Sequence, residues 1–362
     1  MILINANNIK QGGGLSVLFS FLSYLKYTEE KGVVVIPNSL LIKFKNNEFY
    51  NSNNIIVKSV PTNFLYRLFY FNLFVKKICK KFNVIKIYSL GNIALNINIY
   101  QVLLIQNAFP FVTDGNILNR LPFKFRIYIK LMSLLIIRQV KYANVIFVQT
   151  NTIKNCLCNY YTNLDIRIIP NLQNISIREK VSSEYVYSNI NCLFLSNYYP
   201  HKNFEILYDL VPKIFDLKLP VTISITLSEN EILKSKIDYL LFKYPDILIN
   251  LGPISYSNIE NVYSKYNSIF LPSLVESFST NYVEALYFNK IIITSDLPFA
   301  REVCEDLAFY FDPFDFTTAI DAFNSIINSP DLVISNLGKY KSRISSLNLN
   351  NSSKTFKSFL DA

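Results

Sequence analysis

Short runs of consecutive apolar residues recur along the chain, bounded by polar or turn-forming residues, and they alternate with longer segments whose apolar positions return every three or four residues. The short runs read as strands buried on both faces, and the longer segments as amphipathic helices. In the first half the pattern predicts strands at 2–6, 33–36, 55–57, 85–87, 102–105, 145–148 and 166–169. It predicts helices at 15–27, 64–82 and 118–141, and a short helix capped by Thr150. From Pro170 to about Tyr187 the residues are polar or charged without a period, which reads as a linker. The alternation then resumes, with strands at 192–195, 221–225, 247–249, 268–271 and 291–294 and helices at 202–216, 229–243, 256–266 and 279–288. The end, 317–327 and 331–360, reads as mostly helical. Strands that alternate with helices imply parallel, doubly wound sheets. The expected fold class is therefore α/β with two Rossmann-like domains, 1–170 and 188–345, joined by the linker 171–187 and followed by a terminal helix, 346–362.

Composition supports this picture and narrows the chemistry. A chain of 362 residues, 51% apolar and 15% aromatic, can bury two full cores, which argues against disorder. Met1-Ile2-Leu3-Ile4-Asn5 enters a strand directly, so no signal peptide is expected. The longest weakly charged run, Val84 to Val112, is broken by Asn92, Asn96, Asn98, Gln101, Gln106 and Asn107, so no spanning helix is expected. Five cysteines and one histidine, with Cys156-x-Cys158 lacking metal-ligand spacing, suggest reduced thiols and no metal site. Charge is uneven: residues 1–170 carry 20 Lys and Arg against 5 Asp and Glu, whereas 171–362 carry 16 against 21. The basic half points to an anionic surface, either a membrane leaflet or nucleic acid. Helices 64–81 and 120–141 mix aromatic and basic residues, which suits a membrane interface. Single-stranded nucleic acid also accepts such a mixture, but no nucleic-acid motif is present, and the expected partner is the membrane.

The densest chemistry lies at 272–285. Glu276 and Glu284 are separated by seven residues, between the strand 268–271 and a helical pattern. Glu276 therefore falls in a strand-to-helix loop and Glu284 about one and a half turns into the helix. Both can face the mouth of a parallel sheet, where open α/β folds bind ligands. The arrangement suits a sugar nucleotide: one carboxylate accepts hydrogen bonds from sugar hydroxyls, the other from ribose hydroxyls, and the helix N-terminus offers N–H groups to a diphosphate. Ser277, Phe278, Ser279 and Thr280 would let the diphosphate approach that backbone closely.

Lys202, after Pro200-His201, could pair with the diphosphate and offset charge on the leaving nucleotide. The alternative is an exposed lysine at a helix start, which the macrodipole slightly disfavours. Gly12-Gly13-Gly14 opens the first helix, where glycine lets backbone approach a phosphate and take positive φ. The Walker lysine and serine are missing, so it is no P-loop; a plain turn is the other reading. Gln106, at the end of strand 102–105, can hydrogen-bond a sugar hydroxyl but cannot act as acid or base, or it is simply a strand-end polar residue. His201 reads as a residue that orients the loop, Asp296 as a helix cap, and Glu302 as part of an exposed face.

Glu276 and Glu284 with the segment Lys290 to Val303, the segment Ser196 to Asn203, and Gly12 to Gly14 resemble, in the family's order, the family 4 (group 1) retaining glycosyltransferases of GT-B fold. The family often has arginine five residues before the lysine and histidine at the strand end; Asn197 and Gln106 stand there in this chain. The resemblance implies two domains facing across a cleft, with the C-terminal helix crossing back to the first. It implies catalytic roles for Glu276, Lys202 and Gln106, and donor binding by Glu284, Gly13, Gly14, Asn197, Ser277, Phe278, Ser279 and Thr280. In similar enzymes the acceptor hydroxyl attacks from the leaving-group side and the donor phosphate takes its proton, so no metal or cofactor is needed; the lack of an Asp-x-Asp motif fits. The implied acceptor is a lipid-linked or lipopolysaccharide/O-antigen-type saccharide, at the inner face of a bacterial cytoplasmic membrane. The alternatives are a catalytically inactive, glycosyltransferase-like membrane partner, or a GT-B sugar-nucleotide epimerase or hydrolase.

Overall fold

The computed structural model describes residues 1–9, 13–45, 49, 52–63, 70–169, 189–255, 258–347 and 352–361. Gly12, Phe64 to Phe69 and the linker 171–187 lie outside the described residues, as do the first two residues of the expected helix 256–266. The chain divides into two compact units. One comprises Met1–Val112, Lys124–Ile175 and Leu349–Ala362, and the other Thr113–Phe123 and Ser176–Asn348.

The first unit runs β1 (Ile2–Asn5), α1 (Gly13–Tyr27), β2 (Gly32–Pro37), α2 (Leu41–Lys45), β3 (Ile55–Val60), α3 (Phe71–Lys81), β4 (Lys86–Ser89) and β5 (Tyr100–Ile105). After α4 (Gly115–Arg120), which belongs to the second unit, it resumes with α5 (Phe123–Val140), β6 (Val145–Val148), α6 (Asn151–Cys158) and β7 (Asp165–Ile168). These strands form one parallel sheet in the order β3-β2-β1-β4-β5-β6-β7. Successive residues serve opposite faces. Ile2, Ile4, Val34, Ile36, Val102 and Leu104 pack with Val17, Phe21 and Leu25 of α1. Leu3, Val33 and Val35 pack with Val75 and Ile78 of α3, and Leu103, Ile105, Ile146 and Val148 with Ile136 and Val140 of α5. Burial on both faces is why these strands are continuous apolar runs in the sequence.

The second unit runs β8 (Ile190–Phe194), α7 (Leu207–Asp216), β9 (Val221–Ile225), α8 (Glu229–Ser235), α9 (Asp238–Lys243), β10 (Leu248–Asn250), α10 (Ile259–Ser264), β11 (Ser268–Leu271), α11 (Thr280–Tyr287), β12 (Ile291–Ser295), α12 (Pro298–Cys304), β13 (Phe309–Phe311), α13 (Phe316–Asn328) and α14 (Pro330–Ser346). Its strands form a parallel sheet in the order β10-β9-β8-β11-β12-β13. In each sheet the strand order reverses beside the first strand, β1 or β8. Crevices for ligands open there, at the carboxyl ends of the strands. Both units are thus parallel-sheet and Rossmann-like, as the alternation of runs predicts.

The last helix, α15 (Ser352–Asp361), belongs to the first unit. Its Phe359 is fully buried, with its ring centroid 4.4 Å from that of Phe147, 5.4 Å from Tyr88 and 5.7 Å from Phe21. The Tyr88 hydroxyl donates to the Phe359 carbonyl, and the Lys86 ammonium to that of Leu360.

Several expected elements are cut where the backbone cannot continue. The helix expected at 118–141 is two, because Leu121 is extended before Pro122. A residue before proline is pushed out of the α region, and proline itself has no N–H to donate. The helix expected at 229–243 breaks at Lys236, whose φ is 58°. The one expected at 202–216 starts only at Leu207; Pro200–Lys202 and Phe204–Ile206 are separate 3₁₀ turns around Asn203, whose φ is 56°. Lys202 therefore sits in a tight turn and not at an α-helix start. Strand β13 was hidden in the run Leu307 to Phe311, which is too short to show a period. Thr150 precedes α6 but its side chain makes no cap bond. Asp296 does not cap α12, whose N-cap is Leu297; it pairs with Arg301 at 2.7 and 3.0 Å instead. Glu302 is half-buried, and its carbonyl accepts a bond from Arg343.

Candidate functional site

The site grows from two loops at the carboxyl ends of β8 and β11, neighbouring strands of the second sheet. After β8, residues 195–203 turn through Pro200–Lys202. Asn203 takes the left-handed conformation that asparagine tolerates better than most residues. Its buried side chain donates to the Pro313 carbonyl at 2.9 Å, which pins the turn from below. After β11, the Leu274 N–H donates to the His201 carbonyl at 2.7 Å and binds the two loops together. Asn281, in the first turn of α11, donates to the Leu195 carbonyl at 2.8 Å. The backbone around the site is thus fixed from three sides.

On this frame Lys202 and Glu276 meet, with Nζ and Oε1 2.5 Å apart and side chains only 16% and 14% exposed. Burial alone would raise the Glu276 pKa. The Lys202 charge, then His201, and hydrogen bonds from Lys202 and Ser273 outweigh it and hold the carboxyl below its ordinary range. His201 stacks on Tyr199, with ring centroids 5.5 Å apart. Burial pushes its pKa down to about 4, Lys202 adds to that, and Glu276 opposes it, so the ring is neutral at pH 7. The neutral ring is no general acid there, but it keeps one N–H to donate a hydrogen bond, as an orienting role needs.

Glu284 projects from α11 and is 7% exposed; its Oε2 accepts a hydrogen bond from the Tyr263 hydroxyl of α10 at 3.0 Å. Burial raises its pKa, against the lowering effect of that bond. Ser277, Phe278 and Thr280 are half-buried, Ser279 is buried, and Asn197 is exposed. Ser279 is the N-cap of α11 without a side-chain cap bond, which leaves the first-turn N–H groups without that partner. Among the described residues, no group of three or more His, Cys, Asp or Glu is placed to hold a metal ion.

Gln106, Gly13 and Gly14 belong to the first unit. Gly13 and Gly14 form the first turn of α1, and neither has positive φ, contrary to the sequence expectation. Gly14 lies against Gln106: a Cβ at position 14 would stand 3.4 Å from the Gln106 Oε1, a van der Waals contact that a side chain could accept. The Gln106 Nε2 is buried without a hydrogen-bond partner among the described residues. Its backbone is held by Asn92, whose Oδ1 accepts the N–H groups of Gln106 at 2.6 Å and Asn107 at 3.0 Å.

The structure joins Lys202 to Glu276, and Gly14 to Gln106. It adds residues the sequence did not flag: Tyr263, Asn203, Asn281 and Asn92. The signal for Asn203 was its type after a turn-forming Pro-x-Lys. Tyr263 carried none, since its link to Glu284 spans 21 positions across two helices.

Residues 188–343 match the family model described as glycosyl transferases group 1. A curated relative, the O-antigen chain mannosyltransferase RfbU of Salmonella typhimurium, is 24% identical over 258 residues, 67% of this chain. The match spans 65% of that relative's length. Among solved structures, sucrose-phosphate synthase from Thermosynechococcus elongatus superposes with a TM-score of 0.75 at 13% identity, over 100% of this chain and 99% of that one. Anabaena HepE in complex with UDP-glucose gives 0.69 at 15% identity, over 99% and 100%. TarM from S. aureus in a complex containing UDP gives 0.67 at 11% identity, over 99% of each chain. These likenesses show the GT-B fold. The group 1 glycosyltransferase model matches within the second unit, at residues 188–343.

Proposed function

We propose that the protein is a retaining, metal-independent glycosyltransferase of family 4. It would move a hexosyl group from a nucleotide sugar to a lipid-linked or lipopolysaccharide/O-antigen-type saccharide, in bacterial surface polysaccharide synthesis. The observation that carries this reading is the half-buried Lys202–Glu276 pair, built on pinned loops, with Glu284 following on α11 of the same parallel-sheet unit. The relative RfbU favours a surface-polysaccharide acceptor, and the UDP-glucose bound to HepE a nucleotide-sugar donor.

In this reading Glu284 accepts bonds from the ribose hydroxyls and Glu276 from hydroxyls of the donor sugar. Lys202 and the N–H groups of 278–280 stabilise charge that develops on the leaving diphosphate. Gln106, backed by Gly14, positions a sugar hydroxyl without proton transfer, and the donor phosphate takes the acceptor's proton. No cofactor takes part. Lys202→Ala should cut kcat about 100-fold or more, the scale for losing a donor aimed at developing charge. Glu284→Ala should raise the donor KM about tenfold or more through lost charge-assisted hydrogen bonds. Near-normal kinetics in both variants would contradict the assignment.

The protein would work as a peripheral protein on the inner face of the cytoplasmic membrane. On α5, Phe123, Ile127, Leu131 and Leu134 are exposed on a helix with Lys124, Lys130 and Arg138 and no acidic residue. On α3, Leu73 is exposed beside Lys76 and Lys77. Such helices bind anionic interfaces. Co-flotation with anionic but not zwitterionic vesicles, weakened in Ile127→Glu/Leu131→Glu, is the expected result; equal flotation of that variant would refute these helices as the contact.

A further inference from the structure

We infer that Glu276 competes with the donor diphosphate for Lys202, so that the site holds intact nucleotide sugar in preference to the nucleoside diphosphate product. The inference rests on the donor-site reading above. A lysine ammonium is a compact charge with three donors. Here that charge is already paired, because one of its donors is committed to Glu276 2.5 Å away, with both side chains largely out of water. The loops on either side are tied by Leu274 to His201 and by Asn203 to Pro313, so the contest is between side chains rather than between loop positions.

A phosphate that draws Lys202 away leaves a largely buried carboxylate. An uncompensated buried charge is costly, and the hydrogen bond from Ser273 that remains does not replace a full charge. An intact donor brings sugar hydroxyls that can donate to Glu276 in place of Lys202. A nucleoside diphosphate brings the phosphates but not the hydroxyls, and opens the pair at a loss. When the sugar has left, Glu276 reclaims Lys202 and helps expel the product. The same carboxylate would thus be a sugar ligand in the loaded site and a competitor in the emptied one.

Calorimetric titration of wild type, Glu276→Gln and Lys202→Met with UDP, GDP, CDP and ADP, and with their common sugars, tests this. Glu276→Gln should bind the active nucleoside diphosphate about tenfold more tightly than wild type, the scale of one charge-assisted hydrogen bond regained. It should bind the corresponding nucleotide sugar no more tightly than wild type, and Lys202→Met should bind both more weakly. Glu276→Ala, which removes the carboxylate altogether, should shift the diphosphate in the same direction and serves if the glutamine variant misfolds. Unchanged or weaker diphosphate binding in folded Glu276 variants, with wild-type binding intact and lost in Lys202→Met, overturns the competition but leaves the donor site standing. Binding that Lys202→Met does not affect, or no binding by wild type, removes the donor-site reading and this inference together.

Discussion

At the scale of single residues, the site is a set of groups held away from their ordinary ionisation, with directions that can be tested. His201 titrates near 4 in the folded chain against 6.5 as the ordinary value, because burial disfavours its charge. The unfolded chain therefore binds a proton that the native one refuses between those values. The stability this group contributes is complete above pH 6.5 and is lost as pH falls towards 4, by up to about 3 kcal/mol. Glu276, whose pKa is lowered, acts in the same direction at still lower pH. Glu284, whose pKa is raised, acts oppositely: its contribution is present at low pH and is lost as pH rises through its shifted value. Because the chain has one histidine, His201→Gln should flatten the pH dependence of urea-unfolding stability between 6.5 and 4. An unchanged slope would contradict the burial of that ring. Tyr263→Phe should cost about 1–3 kcal/mol at pH 7, the usual penalty for stranding a buried acceptor, and a denaturation midpoint equal to wild type would refute the Tyr263–Glu284 bond. The residue types of the site were legible in the sequence, as paired carboxylates and a lysine after Pro200-His201, although that lysine was expected at a helix start and lies in a turn. Their pairings were not, because Lys202 meets Glu276 across 74 positions and only the fold brings them together.

At the scale of elements, the central strands were legible because both of their faces are covered, which makes them unbroken apolar runs, whereas the short edge strand β13 was not. Helix ends were less so. Pro122 announces the break between α4 and α5. Lys236, by contrast, takes a left-handed conformation that its residue type does not favour, so α8 and α9 read as one helix. The same effect moved the start of α7 from 202 to 207 and put Lys202 in a turn anchored by Asn203. The most consequential single element is α15, which fills the first core through Phe359. Phe359→Ala should destabilise that unit by about 3–5 kcal/mol, the cost of emptying a well-packed aromatic site. Thermal unfolding checks this, and a loss below about 1 kcal/mol would show that α15 is not part of that core.

At the scale of the whole molecule, two parallel-sheet units follow from one repeated alternation of strand and helix, and the solved neighbours share that architecture across nearly the full chain. Charge divides the same way. The basic residues gather in the first half, and the acidic balance lies in the second, which carries Glu276 and Glu284. Which base, sugar and acceptor are used rests on loop shapes that neither periodicity nor composition encodes. The most direct test of the central claim, a nucleotide-sugar site built on Lys202, Glu276 and Glu284, is thermal unfolding of wild type and Glu284→Ala with UDP, GDP, CDP and ADP and their sugars. A ligand that binds only the native state stabilises it by about 2.7 kcal/mol at a hundred times its Kd. One nucleotide and its sugar should raise the wild-type Tm by several degrees and leave Glu284→Ala nearly unmoved. No shift with any nucleotide, or an equal shift in the variant, would contradict the assignment.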